Sequence, residues 1–152
     1  MSRAGTPSAR RANVDDARAI AQLLHDFNRE FKQPTPAVET LAQRIAHLLQ
    51  GADTVVLLVG DSPDGLAILR LREAIWSNGL ECYLAELYVV PARRGNGLGR
   101  ALLEAALQEA CDRGADWMEI GVDEPDHAAR HLTASVASGT SSVTSRSCRP
   151  RA

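Results

Sequence analysis

The chain has 152 residues, enough for one domain with a real core. Its 17 Lys and Arg nearly balance 19 Asp and Glu, so bulk charge gives no reason to expect a nucleic-acid partner. No apolar run is long enough to span a membrane, and none follows Arg3, Arg10 and Arg11 as a secretory leader would require.

Residues 1–8 read as a lead-in, and a short strand is expected over Ala9 to Ala12. Asp15 and Asp16 suit the first turn of a helix, where carboxylates meet the positive end of the dipole. Ile20, Leu23, Leu24, Phe27 and Phe31 then recur at helical spacing. The helix stops near Pro34. Thr35-Pro36 reads as the cap and first position of a second helix with Val38, Leu41, Ile45, Leu48 and Leu49 on one face and Gly51 at its end. His25 and His47 lie next to these apolar stripes and read as flanking residues rather than ligands.

From Thr54 the period changes. Thr54 to Gly60 is a strand, Asp61 to Gly65 a turn with proline and Asp-Gly chemistry, and Leu66 to Trp76 a second strand. Ser77-Asn78-Gly79 carries a hairpin signal, and Leu80 to Val90 returns as a third strand ended by Pro91. These three strands should pair antiparallel. Leu98 to Arg113 is a helix, with Leu98, Leu102, Ala105, Ala106 and Ala110 toward the sheet and Glu104, Gln108 and Asp112 toward solvent. Gly114 closes it, and Asp116 to Val122 is a strand parallel to the third by the crossover rule. Asp126 to Leu132 opens a further helix. Thr133 to Ala152 has no acidic or aromatic residue and is nearly half Ser or Thr, which reads as a disordered tail.

The stretch Leu87 to Arg100 joins a strand to a helix through a turn with three glycines in five residues, flanked by Arg93, Arg94 and Arg100. Such a turn offers bare backbone N–H groups at a helix start, a site for phosphate or pyrophosphate. Glycine lets that backbone approach the anion closely. A dinucleotide fingerprint is excluded, because Arg100 stands where its third glycine belongs and an antiparallel meander precedes the turn. A hydrolase nucleophile elbow is absent. No metal site is expected: His127 and His131 are four apart on a predicted helix, but nothing completes a ligand set. Cys82, Cys111 and Cys148 show no metal or disulfide spacing, which suits reduced thiols and a cytoplasmic setting.

Arg94-x-x-Gly97-x-Gly99, set between strand and helix, resembles the acyl-CoA pyrophosphate signature of the GNAT superfamily of N-acetyltransferases. The longer strings Glu86 to Leu103 and Gly114 to Asp123 are similar to that family too, and the resemblance covers roughly residues 9–132 as one N-acetyltransferase domain. It implies an α/β (α+β) fold with a mixed sheet, an antiparallel meander, a central βαβ unit and flanking helices. It implies acetyl-CoA as cosubstrate, without a metal. Backbone groups of Leu87, Tyr88 and Val89 would meet the pantetheine arm as an added strand does. Arg94, Gly95, Asn96, Gly97, Leu98, Gly99 and Arg100 would hold the pyrophosphate, and Asp126 would meet the CoA arm.

The reaction so implied is direct attack of a primary amine, of a small molecule or a peptide, on the thioester, with a strand N–H stabilising the oxyanion. The amine must lose a proton first, so a base is required. Glu86 is the first choice, as a charge inside an apolar strand, and Glu119 the second. Asn28, Phe31, Trp76 and Tyr83 are candidate substrate contacts. A homodimer stays open; neither nucleic acid nor a membrane is expected as partner.

The ending departs from the family. After Leu132 the resemblance leads one to expect Tyr-x-x-x-Gly-Phe and a last strand pair, the tyrosine protonating the leaving thiolate; Thr133 to Gly139 stands there instead. With one choice of codons, a single added base ahead of residue 133 turns the tail into Tyr-Gly-Glu-Arg-Gly-Phe-Arg-His-Leu-Glu. The tail therefore reads as a frame-shifted form of that ending. It is expected to leave the strand from Asp116 without a partner, and to leave a CoA-binding but catalytically impaired module as the alternative function.

Overall fold

A computed structural model describes residues 6–121 and the backbone of residues 143–147. Strand β1 (Ala9–Arg11) is followed by helices α1 (Ala17–Glu30) and α2 (Val38–Gln50). Then come β2 (Thr54–Val59), β3 (Gly65–Glu73), β4 (Leu80–Val89), helix α3 (Leu98–Asp112), β5 (Ala115–Gly121) and β6 (Val143–Ser147). The strands form one sheet in sequence order. All neighbours are antiparallel except β4 and β5, which are parallel because α3 carries the chain across between them. The meander, the crossover and the flanking helices are those expected from the sequence.

Both faces of the sheet are covered near its centre, which is why β2 is buried at every position and runs apolar from Val55 to Val59 rather than alternating. On one face Val55, Leu57, Ala67, Leu69, Cys82, Leu84, Met118 and Ile120 pack against Leu98, Leu102, Leu103, Ala106 and Ala110 of α3. Leu103 is fully buried where the period favoured Ala105, which is only partly so. On the other face Val56, Leu58, Leu66, Ile68 and Tyr88 pack against Ile20 and Leu23 of α1 and Ile45 of α2. Along β3 this second cover runs out: Leu66 and Ile68 are buried, whereas Arg70 and Arg72 on the same face are exposed.

One extra residue in β4 reorganises the sheet. Ile68 pairs with Glu86 and Leu69 with Leu84, so Ala85 is a bulge. Because strand side chains alternate, one inserted residue exchanges the two faces beyond it. Before the bulge Cys82 and Leu84 face α3; after it Leu87 and Val89 do, and Tyr88 turns to the α1 side. The pairing of β4 with β5 stops at the same place, with Leu84 opposite Ile120. Ala85 to Val89 thus continue beside β3 alone among the described residues, and the two parallel strands part there.

Several local expectations are corrected. Asp15 and Asp16 sit in a separate 3-10 turn, capped by Asn13: its side chain accepts from the Asp15 N–H, and Asp16 accepts from the Asn13 N–H. Helix α2 starts at Val38 without a side-chain cap, because the Thr35 hydroxyl donates to the carbonyl of Pro36 instead. Gly51 ends α2 in extended backbone, φ −88°, rather than left-handed. Strand β3 stops at Glu73, short of Trp76, and Ala74 N–H bonds to Gly79 O across a wider loop. Gly79 is not at positive φ, so no Asn-Gly hairpin turn forms. Glycine is needed there for closeness: a Cβ would stand 3.0 Å from Gly114 O and Asp116 Oδ2.

The edge of β5 is not open, since Val143 to Ser147 pair with it from Gly121 to Trp117. Composition reads that segment as coil, but an unpaired strand edge is a strong template for any extended neighbour. The rest of the tail, the expected helix from Asp126, His127, His131 and Cys148 lie outside the described residues. Among the described residues no helix is long and apolar enough to cross a membrane.

Candidate active site

The turn before α3 has the geometry its composition suggests. Pro91–Arg93 make one 3-10 turn, then Gly95 and Gly97 both adopt left-handed backbone, φ 81° and 80°. Nothing lies within 4 Å of where a Cβ would stand at either glycine, so the approach to the backbone is open. Gly97 caps α3 without a side chain. The first-turn N–H groups of Leu98, Gly99 and Arg100, which no helix can satisfy internally, therefore face outward beside the positive end of the dipole. Asn96 folds back onto the carbonyls of Arg93 and Arg94 and stiffens the turn.

The arginines are held by carboxylates. Arg100 pairs with Glu104 one turn along α3, at 3.0 Å, and Arg93 lies 3.6 Å from Asp64. Arg94 is held most firmly. Its Nη2 donates to both oxygens of Glu30, at 2.8 Å each, and its Nε to the carbonyl of Val89 at 3.0 Å. Glu30, at the end of α1, also accepts from the Tyr88 hydroxyl at 3.1 Å. Tyr88 is only 4% exposed, with the Phe27 ring tilted against it at 4.9 Å between centroids and the Arg94 guanidinium 5.7 Å from its ring centre. Burial first, then the Glu30 charge, pushes the tyrosine hydroxyl up to about 12. Glu30 thus ties α1, β4 and the glycine turn together. One backbone position expected to meet the donor's arm, the Val89 carbonyl, already has an internal partner.

Beyond the bulge the backbone of Glu86, Leu87, Tyr88 and Val89 has ladder partners on its β3 side. Alternate N–H and C=O groups point the other way, into the opening left by β5. Glu86 is half-buried and lies opposite Ile68, hence on the α1 face of the sheet. Glu119 lies opposite Tyr83, the last pair but one before the strands part, on the same face. The two carboxylates stand on either side of the opening.

A cleft of about 510 Å³ lies on this face where α1 and α2 no longer cover it. It is lined by Asp53, Arg70, Arg72, Glu81, Tyr83, Trp117 and Glu119, with the backs of Leu71 and Cys82. Arg72 donates to Glu81 across the β3–β4 pair. Of the four expected substrate contacts the cleft takes in Tyr83, 43% exposed. Trp76, 89% exposed, stands on the loop after β3; Phe31 packs edge-on against Phe27 at 5.2 Å; and the Asn28 amide donates to Pro34 O, holding the α1–α2 connection. Asp126 lies outside the described residues.

Sequence reasoning missed Arg70, Glu81 and Trp117. The signal was present: Arg70-Leu71-Arg72, Glu81-Cys82-Tyr83-Leu84 and Trp117-Met118-Glu119-Ile120 alternate polar or aromatic with apolar. Val55 to Val59 and Leu66 to Leu69, covered on both faces, are apolar throughout, so alternation marks the uncovered part of the sheet. Glu30 and Phe27 were missed because nothing in the sequence links the end of α1 to residues 58 and 64 positions away.

Comparison with known proteins agrees with this geometry. The family described as Acetyltransferase (GNAT) family matches residues 18–136. A crystal structure of a protein from Arthrobacter sp. FB24 assigned as an acetyltransferase superposes with a TM-score of 0.82 at 46% identity, over 90% of this chain and 88% of that one. The aminoglycoside N(6')-acetyltransferase type 1 of Stenotrophomonas maltophilia is 34% identical over 124 residues, 79% of this chain and 76% of that protein. The mycothiol acetyltransferase of Kineococcus radiotolerans is 35% identical over 113 residues, 72% of this chain; the match spans only 34% of that longer protein.

Proposed function

The chain belongs to the GNAT acetyltransferase family, and from that premise we propose that it transfers an acetyl group from acetyl-CoA to a primary amine of a small molecule or peptide. The observation that carries the reading is the glycine turn, open at Gly95 and Gly97, set at the head of α3 beside the parting of β4 and β5. An extended donor with a pyrophosphate at one end fits both features at once. The backbone of Gly95 to Arg100 holds the pyrophosphate by N–H donation and the helix dipole. The arginines are already paired, so their part is to shape the turn as much as to add charge. Leu87 and Tyr88 meet the pantetheine arm along the exposed edge of β4.

Acetyl-CoA supplies an activated acyl thioester. The acceptor arrives from the cleft face, where Glu119 orients its ammonium and Glu86 takes the proton that must leave before nitrogen can attack. A C–N bond forms as the C–S bond breaks, and the thiolate is protonated as it leaves. A backbone N–H of β4 at the bulge steadies the charge that develops on the carbonyl oxygen. The test is release of CoA thiol across a panel of amines. Amine-dependent release supports the reading; CoA binding with no release for any amine supports the alternative of a binding module. One observation favours that alternative: Thr133 stands where the family resemblance expects the tyrosine acid.

A further inference from the structure

The cleft beside the parted strands carries one unusual feature. Arg70, Tyr83 and Glu119 form a single row across β3, β4 and β5, each opposite the next. Their side chains therefore rise from the same face, the outer two about 10 Å apart at the backbone with Tyr83 between them. Arg72 and Glu81 in the next row satisfy each other. Arg70 and Glu119 have neither a hydrogen bond nor an ion pair among the described residues, though both line the cleft. A cation and an anion thus stand ready on either side of an aromatic floor made by Tyr83 and Trp117.

Resting on the acetyltransferase reading of this site, we propose that the acceptor is an amine that also carries a carboxylate, an amino acid or a compound with that pair of groups. Its carboxylate sits in the fork of Arg70, which matches a carboxylate in two parallel N–H···O bonds. Its ammonium lies toward Glu119, over the ring of Tyr83, on the side where β4 and β5 part. The charge pattern also selects against other amines. A polycation would bring one of its positive groups against Arg70, and an amine without an anion would leave that guanidinium unmatched.

The experiment compares amino acids with their carboxamides, which keep the reacting amine and lose the anion, and with spermidine as a polycation. Thiol release is measured with acetyl-CoA, and binding of the same compounds is measured by calorimetry with and without CoA. The acid is expected to exceed its amide by about ten- to a hundredfold in kcat/KM and in affinity, the worth of one charge-assisted pair. Arg70→Gln should erase that preference by raising KM for the acid far more than for the amide. Equal use of acid and amide, a preference for spermidine, or an Arg70→Gln effect of the same size on both compounds overturns the proposal. If amines are acetylated without a carboxylate preference, only this inference fails. If CoA neither binds nor is consumed, the acetyltransferase reading fails, and the calorimetric preference for acid over amide still decides the cleft.

Discussion

Glu30 offers the sharpest test of how the site is held together. Glu30→Ala removes two contacts of different kinds. The pair with Arg94 is 27% and 43% exposed, so it contributes about 0–1 kcal/mol after solvent screening. The bond from Tyr88 is different, because that side chain is 4% exposed and among the described residues its hydroxyl bonds to Glu30 alone. Leaving it unsatisfied costs about 1–3 kcal/mol. Together the loss is about 2 kcal/mol, a fall of about 1 M in the urea midpoint. Glu30→Gln keeps an acceptor for Tyr88 and drops only the charge, so about 0.5–1 kcal/mol is expected.

The pair of variants is then repeated in a Tyr88→Phe background, where the difference between alanine and glutamine should vanish. Equal destabilisation by Ala and Gln with Tyr88 present would refute the reasoning. The pH dependence gives a second reading. The hydroxyl is raised from 10.0 to about 12 in the fold, so its protonated form stabilises the chain fully below pH 10. That contribution is lost as pH rises from 10 toward 12. Tyr88→Phe should lack this loss, and Glu30→Gln should shorten the window from above, since part of the rise comes from the Glu30 charge.

Three further outcomes are expected. Gly97→Ala and Gly114→Ala both place a Cβ in open space at positive φ, so each should lower stability by about 1–2 kcal/mol from backbone strain alone, measured by urea unfolding; a much larger loss at either would mean a buried contact. Glu86→Gln should lower kcat by about 10²–10⁴-fold and flatten the acid limb of the pH–rate profile, whereas an unchanged profile removes Glu86 as the base. The codons around residue 133 should allow a one-base restoration of Tyr-x-x-x-Gly-Phe, and the restored chain should release thiol faster by about 10²-fold or more; if no single-base change restores that ending, the frame-shift reading is wrong.

The parts of the fold that follow from local chemistry were legible. Helical spacing, the Pro-Asp-Gly turn and the glycine cluster set α1, the meander and the head of α3. What could not be read depends on partners distant in sequence. The bulge at Ala85 exists only in relation to β3, and it decides that Glu86 shares a face with Tyr88. The tie between Glu30 and Arg94 spans 64 positions and needs α1 already packed on the sheet. β6 is made by the edge of β5 more than by its own composition. The cleft is a different case, since its polar alternation was in the strands all along and was masked by reading them as apolar runs.

The central claim is that the turn at Gly95–Arg100 and the parted edge of β4 hold a CoA donor. Isothermal titration of CoA into the full chain tests it directly, with Gly97→Ala and Gly114→Ala beside it. One-site binding is expected, weakened about tenfold or more where the Cβ enters the cradle at Gly97 and unchanged where equal strain falls at Gly114, at the far end of α3. No binding at millimolar CoA, or equal binding by the two variants, would contradict it.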